Sequence, residues 1–123
     1  MVNPIGPYPF TPVNQRVTDE NAAVSITEPD NALLNYPNKI TAKDFEGWIQ
    51  ERGLYFVSNI DANYHTPLSM HDPNEQPNKG SLIEASYGKG RFVYTSLAFF
   101  RELPAGVPGA YRLFINLLSN PKK

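Results

Sequence analysis

The chain has 123 residues and no cysteine, and its 11 basic and 12 acidic side chains give a formal net charge of −1. That length accommodates one domain with one modest core, and a hydrophobic share of 41% argues against wholesale disorder. The lack of cysteine excludes a disulfide framework, a thiolate metal site and a cysteine nucleophile. The near-neutral charge favours neither nucleic acid nor a membrane as a partner, and no apolar run approaches the roughly 20 residues that span a bilayer.

The first 15 residues are predicted to form an extended, proline-rich arm ahead of one globular domain at 16–120 and a tail at 121–123. Prolines bias a chain to extended or polyproline conformations. The prolines of the arm are Pro4, Pro7, Pro9 and Pro12. The arm also carries large apolar side chains, which we expect to dock on the body of the protein or on a partner. These side chains are Ile5, Tyr8 and Phe10.

The start of the chain lacks the basic segment and the long apolar core of a signal peptide. The compartment therefore stays open. If the natural protein is periplasmic or extracellular, we expect its signal to lie outside this chain.

The middle of the chain predicts one helix among short strands. Thr41 is a good N-cap, and Asp44 lies three residues on, where it completes a capping box. The helix is predicted over 42–52, with Gly53 as the residue that ends it. β-Branched and aromatic residues predict short strands around this helix. Those strands are expected at 22–27, 54–57, 65–70, 81–87 and 91–97.

The stretch from Tyr87 to Ser119 carries the clearest pattern. Gly88 and Gly90 suit a tight turn, which predicts a hairpin between the two strands that flank it. Prolines and glycines then break regular structure before a closing helix predicted over 107–119. Apolar residues at helical spacing predict one apolar face on this helix. The members of that face are Val107, Ala110, Tyr111, Leu113, Phe114, Leu117 and Leu118.

These elements predict an α/β (or α+β) fold. We expect a mixed sheet of about four to six short strands, with one helix near 42–52 and a second near 107–119.

The sequence contains no motif for catalysis, and we predict no cofactor. His65 and His71 lie close together, with Asp72 beside the second and Asp61 upstream. A metal site needs several such ligands to converge in space, and these lie in a loop region without helical spacing. We therefore predict no metal site, and a degenerate metal-dependent hydrolase that uses His65, His71 and Asp72 remains the weakest functional alternative.

Two groups of residues are the candidates for ligand binding. Arg101 and Glu102 follow a predicted strand, and Arg112 lies in the helix after the Gly/Pro loop, where α/β folds often place ligands. An ion pair that pins this loop explains the same residues without a ligand. Tyr64 and His65 form the second group, because Tyr64 is the aromatic residue we most expect to be exposed in a loop.

Two stretches of the chain resemble a known family. They are Asn38–Thr41 with Asp44–Phe56, which ends in the string GLYF, and 87–119, which contains FFRELPAGVPGAYRLFINLLS. The region from about Arg16 to Ser119 is similar to the C-terminal part of large bacterial PIG-L (LmbE-like) deacetylase-family proteins. The resemblance implies an upstream zinc-dependent N-acetylglucosaminyl-type deacetylase domain. It also implies that this chain is the closing part of a class I glutamine amidotransferase-like (ThuA-like) fold.

The resemblance brings no catalytic residue with it. The deacetylase motif His-Pro-Asp-Asp has no counterpart in this sequence, and the cysteine nucleophile of an amidotransferase is missing. The leading functional hypothesis is therefore a non-catalytic accessory module associated with PIG-L-like carbohydrate deacetylases. Its expected partner is an upstream deacetylase domain or a second copy of the chain, because a partial sheet leaves an open edge. The alternative is a small carbohydrate-binding module that holds a glycan with Tyr64, His65, Arg101 and Glu102.

Overall fold

The computed structural model describes residues 7–19, 22–49, 52–87 and 90–119. In these ranges the chain is a small mixed α/β fold of short strands, two 3-10 helices and two α-helices. The strands are β1 (Thr11–Pro12), β2 (Val24–Ile26), β3 (Val57–Ser58), β4 (Leu68–Met70), β5 (Leu82–Tyr87) and β6 (Gly90–Thr95). The helices are the 3-10 helices Ala32–Leu34 and Ala42–Phe45, α1 (Phe99–Glu102) and α2 (Pro108–Leu118). None of the described helices has the length and apolar character needed to cross a membrane.

The described strands pair as three separate two-stranded antiparallel ladders, β1 with β3, β2 with β4, and β5 with β6. The prediction of one mixed sheet is therefore wrong. Four of the strands are only two or three residues long, and β1 contains Pro12, which has no N–H to donate to a ladder. Isolated bridges add further pairs, as between His65 and Glu84 of β5 and between Asn78 and Met70 of β4.

The predicted hairpin is confirmed. β5 and β6 pair over six residues each, from Leu82 opposite Thr95 to Tyr87 opposite Gly90. The turn residues Gly88 and Lys89 lie outside the described residues. β5 is buried from Leu82 through Ala85, with Leu82 in the larger core cluster and Ile83 and Ala85 in the smaller one, whereas β6 is half-buried.

The predicted helix over 42–52 is wrong beyond its first turn. The capping box is present: the Asp44 carboxylate accepts from the Thr41 N–H at 2.9 Å, and the Thr41 hydroxyl accepts from the backbone N–H of Lys43 at 3.3 Å. The 3-10 helix nevertheless ends at Phe45, and Gly47 follows with φ +78°. That conformation suits glycine and breaks a right-handed helix.

Phe45, Trp48 and Arg52 have the sequence spacing of one helical face, but their side chains come together in a loop and not along a helix. The Arg52 guanidinium lies 5.8 Å from the ring of Phe45 and 5.9 Å from that of Trp48, and all three side chains are buried. The guanidinium also donates to the Ala22 carbonyl at 2.8 and 3.1 Å. A folded-back loop thus produces a pattern that resembles one face of a helix.

The predicted closing helix is confirmed as α2, with Pro108 in its first turn. The sequence analysis did not predict the short helix α1. Its four residues, directly before the Gly/Pro loop, form a single helical turn, which is too short to show a helical pattern of apolar residues. Gly109 of α2 lies directly against the backbone of Asp44. Arg112 of α2 reinforces this contact by donating to the Asp44 carboxylate at 2.9 Å.

The buried side chains form two clusters. The larger one joins α2, both 3-10 helices and one face of the strands. Its largest members include Leu33, Leu34, Phe45, Trp48, Phe56, Leu68, Met70, Leu82, Phe99 and Leu113. The smaller cluster contains Val57, Tyr64, Ile83 and Ala85, and Tyr8 and Phe10 of the arm pack against it. The described part of the arm therefore docks on the body, whereas Ile5 and the tail at 121–123 lie outside the described residues.

Candidate functional site

The structure corrects the placement of Tyr64. This side chain was expected to be exposed, but it is only 7% exposed and lies in the smaller cluster. Its hydroxyl donates to the Tyr8 carbonyl at 2.7 Å and accepts from the Tyr8 N–H at 3.2 Å. Sequence reasoning placed Tyr64 in an open loop because the arm that covers it lies more than fifty residues away in the chain.

The first predicted group, Arg101, Glu102 and Arg112, has structural partners. Glu102 is fully buried, and its carboxylate accepts from the backbone N–H of Ile49 at 2.7 Å. Arg112 binds the Asp44 carboxylate and the Lys39 carbonyl, each at 2.9 Å. Arg101 belongs to α1, but its side chain lies outside the described residues. The described side chains of this group therefore hold loops in place.

His65, which was predicted together with Tyr64 as a ligand-binding residue, lines a surface cavity. The cavity has a volume of about 520 Å³ and is bordered by Glu28, Asn31 and Glu84 as well as His65. The His65 Nδ1 atom lies 3.4 Å from the Glu28 carboxylate. The Asn31 amide bridges the two glutamates, because its nitrogen donates to Glu28 at 3.0 Å and to Glu84 at 3.3 Å.

This arrangement is acidic and polar. Carboxylates and an imidazole are common metal ligands, but among the described residues no group of three or more histidine or acidic side chains is placed to hold a metal ion. The cavity therefore presents hydrogen-bond acceptors without a metal-binding geometry. Sequence reasoning found His65 but missed Glu28 and Glu84, which lie in separate parts of the chain.

A second polar cavity, of about 430 Å³, lies between residues 14–17 and 71–78. His71 lines it, with its Nδ1 atom 2.8 Å from the Asp72 carbonyl. The Asp72 carboxylate accepts three hydrogen bonds. The donors are the backbone N–H of Thr18 at 2.9 Å, the hydroxyl of Thr18 at 3.0 Å and the backbone N–H of Asp19 at 2.7 Å. Asp72 thus joins the two walls of the cavity and serves a structural purpose. In the weakest functional alternative, Asp72 was the carboxylate partner of the two histidines.

The hydrogen bonds to the Asp72 carboxylate predict that the unfolding free energy of the protein depends on pH. Burial raises the pKa of Asp72, but the hydrogen bonds from Thr18 and Asp19 and the charge of Arg16 outweigh it and bring the pKa below the ordinary 3.8. A carboxyl with a lowered folded-state pKa contributes stability above its unfolded pKa and loses it as the pH falls through the folded value. We expect Asp72→Asn to lower the unfolding free energy by about 1–2 kcal/mol at pH 7.

Urea denaturation of both proteins between pH 2 and pH 7 checks this prediction. The difference between wild type and variant should shrink as the pH falls below 3.8. The exposed Glu46 provides the control, because Glu46→Gln should change stability by less than about 0.5 kcal/mol. A constant gap across the whole pH range would show that the Asp72 charge contributes nothing.

One surface of α2 was not predicted. Tyr111, Ile115 and Leu118 are 42%, 47% and 72% exposed, and their spacing of four and three residues places them in one stripe. We call this stripe the apolar ridge. Tyr111 and Leu118 were expected on the buried face and are exposed. The buried face contains Ala110 and Leu113, as predicted, together with Gly109 and Asn116, and Phe114 and Leu117 pack partly buried against the larger cluster. The signal was present in the sequence, since the apolar residues of α2 are too many for one face.

The Tyr111 side chain is held in place by a hydrogen bond from its hydroxyl to the Leu103 carbonyl, just after α1. This contact orients one end of the apolar ridge against the end of α1.

Comparison with protein-family models, with curated proteins and with solved structures finds no match to this chain.

Proposed function

We propose that the chain is a non-catalytic accessory module that docks on a PIG-L-like carbohydrate deacetylase domain. The apolar ridge is the observation that carries this proposal. Three large apolar side chains in one helical stripe form a surface suited to packing against a second protein. The resemblance of the chain to the C-terminal part of PIG-L-like proteins supports the choice of partner.

The polar residues support a non-catalytic function. Glu102 and Arg112 each bind backbone groups of distant loops. Side chains used in this way keep the fold in place and are not available to a substrate. In the proposal the chain corresponds to the closing part of a glutamine amidotransferase-like fold, and the partner domain covers the ridge.

The test is the affinity of the purified chain for a purified PIG-L-like deacetylase domain, measured by isothermal titration calorimetry. We expect binding that the double variant Ile115→Lys, Leu118→Lys weakens at least about tenfold, because two charges would be buried at the interface. Tyr55→Lys is the matched control, since Tyr55 is 62% exposed and lies outside α2. It should leave the affinity unchanged.

Three results would contradict the proposal. They are no binding to the deacetylase domain, binding that the ridge variant does not weaken, and hydrolytic activity in the isolated chain. Sedimentation equilibrium of the chain alone distinguishes the remaining partner. A dimer that the ridge variant disrupts would identify a second copy of the chain, and not a deacetylase domain, as the occupant of the ridge.

A further inference from the structure

The arm contacts the body through an aromatic surface formed by Tyr64, Phe92 and Tyr94, which we call the aromatic seat. The Tyr8 ring meets Tyr64 edge-on, with 5.8 Å between ring centroids. The Phe10 ring lies on all three seat residues, with centroid distances of 5.5, 6.1 and 5.1 Å to Tyr64, Phe92 and Tyr94. Two rings placed two residues apart in the arm thus fill one continuous aromatic surface.

The seat also binds the backbone of the arm. The Tyr64 hydroxyl pairs with both the N–H and the carbonyl of Tyr8, at 3.2 and 2.7 Å. The N–H of Asp61 donates to the Pro9 carbonyl at 3.1 Å. The Tyr64 hydroxyl is protonated at neutral pH, and burial raises its pKa further above the ordinary 10.0. Such contacts recognise an extended proline-containing segment through its main chain, as other proline-binding surfaces do.

The seat is separable from the main core. The smaller cluster contains the seat residue Tyr64, and Phe92 and Tyr94 pack against that cluster and not against the larger one. The arm joins the body independently further on, where the Val13 N–H donates to the Phe56 carbonyl at 2.9 Å and Val17 enters the main core. Residues 7–10 can therefore leave the seat while the chain from Val13 onward stays anchored.

We propose that the aromatic seat is a docking site for an extended, proline-containing segment of a partner protein with two aromatic side chains two residues apart. The chain's own arm occupies the site and competes with that segment. The seated arm identifies the chemistry of the partner, because its Tyr-Pro-Phe sequence is the one shown to fit. The seat shares no residue with the apolar ridge, so this inference stands independently of the proposed function.

The experiment uses the full chain and a fluorescent peptide with the sequence PYPFTP, which is that of residues 7–12. Tyr8→Ala with Phe10→Ala empties the seat. We expect the peptide to bind this variant at least about tenfold more tightly than wild type, since a tethered arm competes at an effective millimolar concentration. Fluorescence anisotropy measures both affinities, and a peptide with alanine in place of both aromatic residues is the control.

The milder variant Phe10→Leu keeps the test decisive if the double variant fails to fold. It retains an apolar side chain on the seat and should bind the peptide more tightly than wild type does. The proposal is overturned if a folded variant does not bind the peptide, or binds it no better than wild type does. It is also overturned if wild type forms a dimer that the peptide dissociates, since the occupant would then be the arm of a second copy.

Discussion

Gly109→Ala is expected to cost about 3 kcal/mol of unfolding free energy or more. A Cβ atom at Gly109 would lie 1.7 Å from the carbonyl oxygen of Asp44 and 2.3 Å from its carbonyl carbon. At a solvent-exposed position of a helix, the same change would stabilise the protein by up to about 1 kcal/mol, because alanine has the higher helix propensity. Here the added methyl group meets backbone, so α2 must move away from the 3-10 helix, and overpacking of this kind typically costs 1–3 kcal/mol or more.

The Asp44 backbone has little freedom to yield. Its carbonyl accepts from the Trp48 indole at 2.9 Å, and its carboxylate binds both Thr41 and Arg112. Urea denaturation measures the loss of stability. Gly47→Ala is the control, because Gly47 has φ +78° and open space around it, so its cost of about 1 kcal/mol reflects backbone strain alone. A smaller cost at Gly109 than at Gly47 would contradict the close contact.

Asn116→Leu is expected to cost about 3 kcal/mol or more, because it removes a buried side chain that closes a loop. The Asn116 amide nitrogen donates to the Leu33 carbonyl at 2.9 Å and to the Asn38 carbonyl at 2.7 Å. Its oxygen accepts from the Asn38 N–H at 3.0 Å. Leucine has a similar volume but leaves these three backbone groups without their partner, at about 1–3 kcal/mol for each buried group.

Thermal unfolding followed by circular dichroism checks this effect, which corresponds to a decrease in Tm of roughly 10 °C for a domain of this size. Asn63→Leu is the matched control, since Asn63 is exposed and its amide donates to Asp61, two residues earlier in the same loop. The control should shift Tm by no more than about 2 °C. Equal shifts in the two variants would mean that the Asn116 hydrogen bonds do not hold the loop.

Local features of the fold were predictable from the sequence. The β5–β6 hairpin, the capping box at Thr41 and the helix α2 each depend on residues close together in the chain. The error over 42–52 shows the limit of this approach. Phe45, Trp48 and Arg52 have helical spacing, but Gly47 between them adopts a positive φ and ends the turn. The prediction gave the spacing more weight than the glycine, which disfavours a helix interior.

The candidate sites were less predictable, because distant segments build them. Tyr64 is buried by an arm 56 residues earlier, and Arg112 meets Asp44 across 68 residues. His65 was identified from its residue type, yet its glutamate neighbours come from two other segments. The apolar ridge depends on how α2 packs on the body, where Gly109 lies directly against the backbone of Asp44.

The hydrogen bonds of the Asn116 side chain also affect when the core of the protein can form during synthesis. Leu33 and Asn38 leave the ribosome early, but their partner follows Asn38 after 78 further residues. At a synthesis rate of about 5–20 residues per second, this interval lasts roughly 4–16 s. During that time the loop at 33–38 stays open to water, and Leu33 and Leu34 lack the helix that covers them. Completion of the main core is therefore a late event, which follows the emergence of α2.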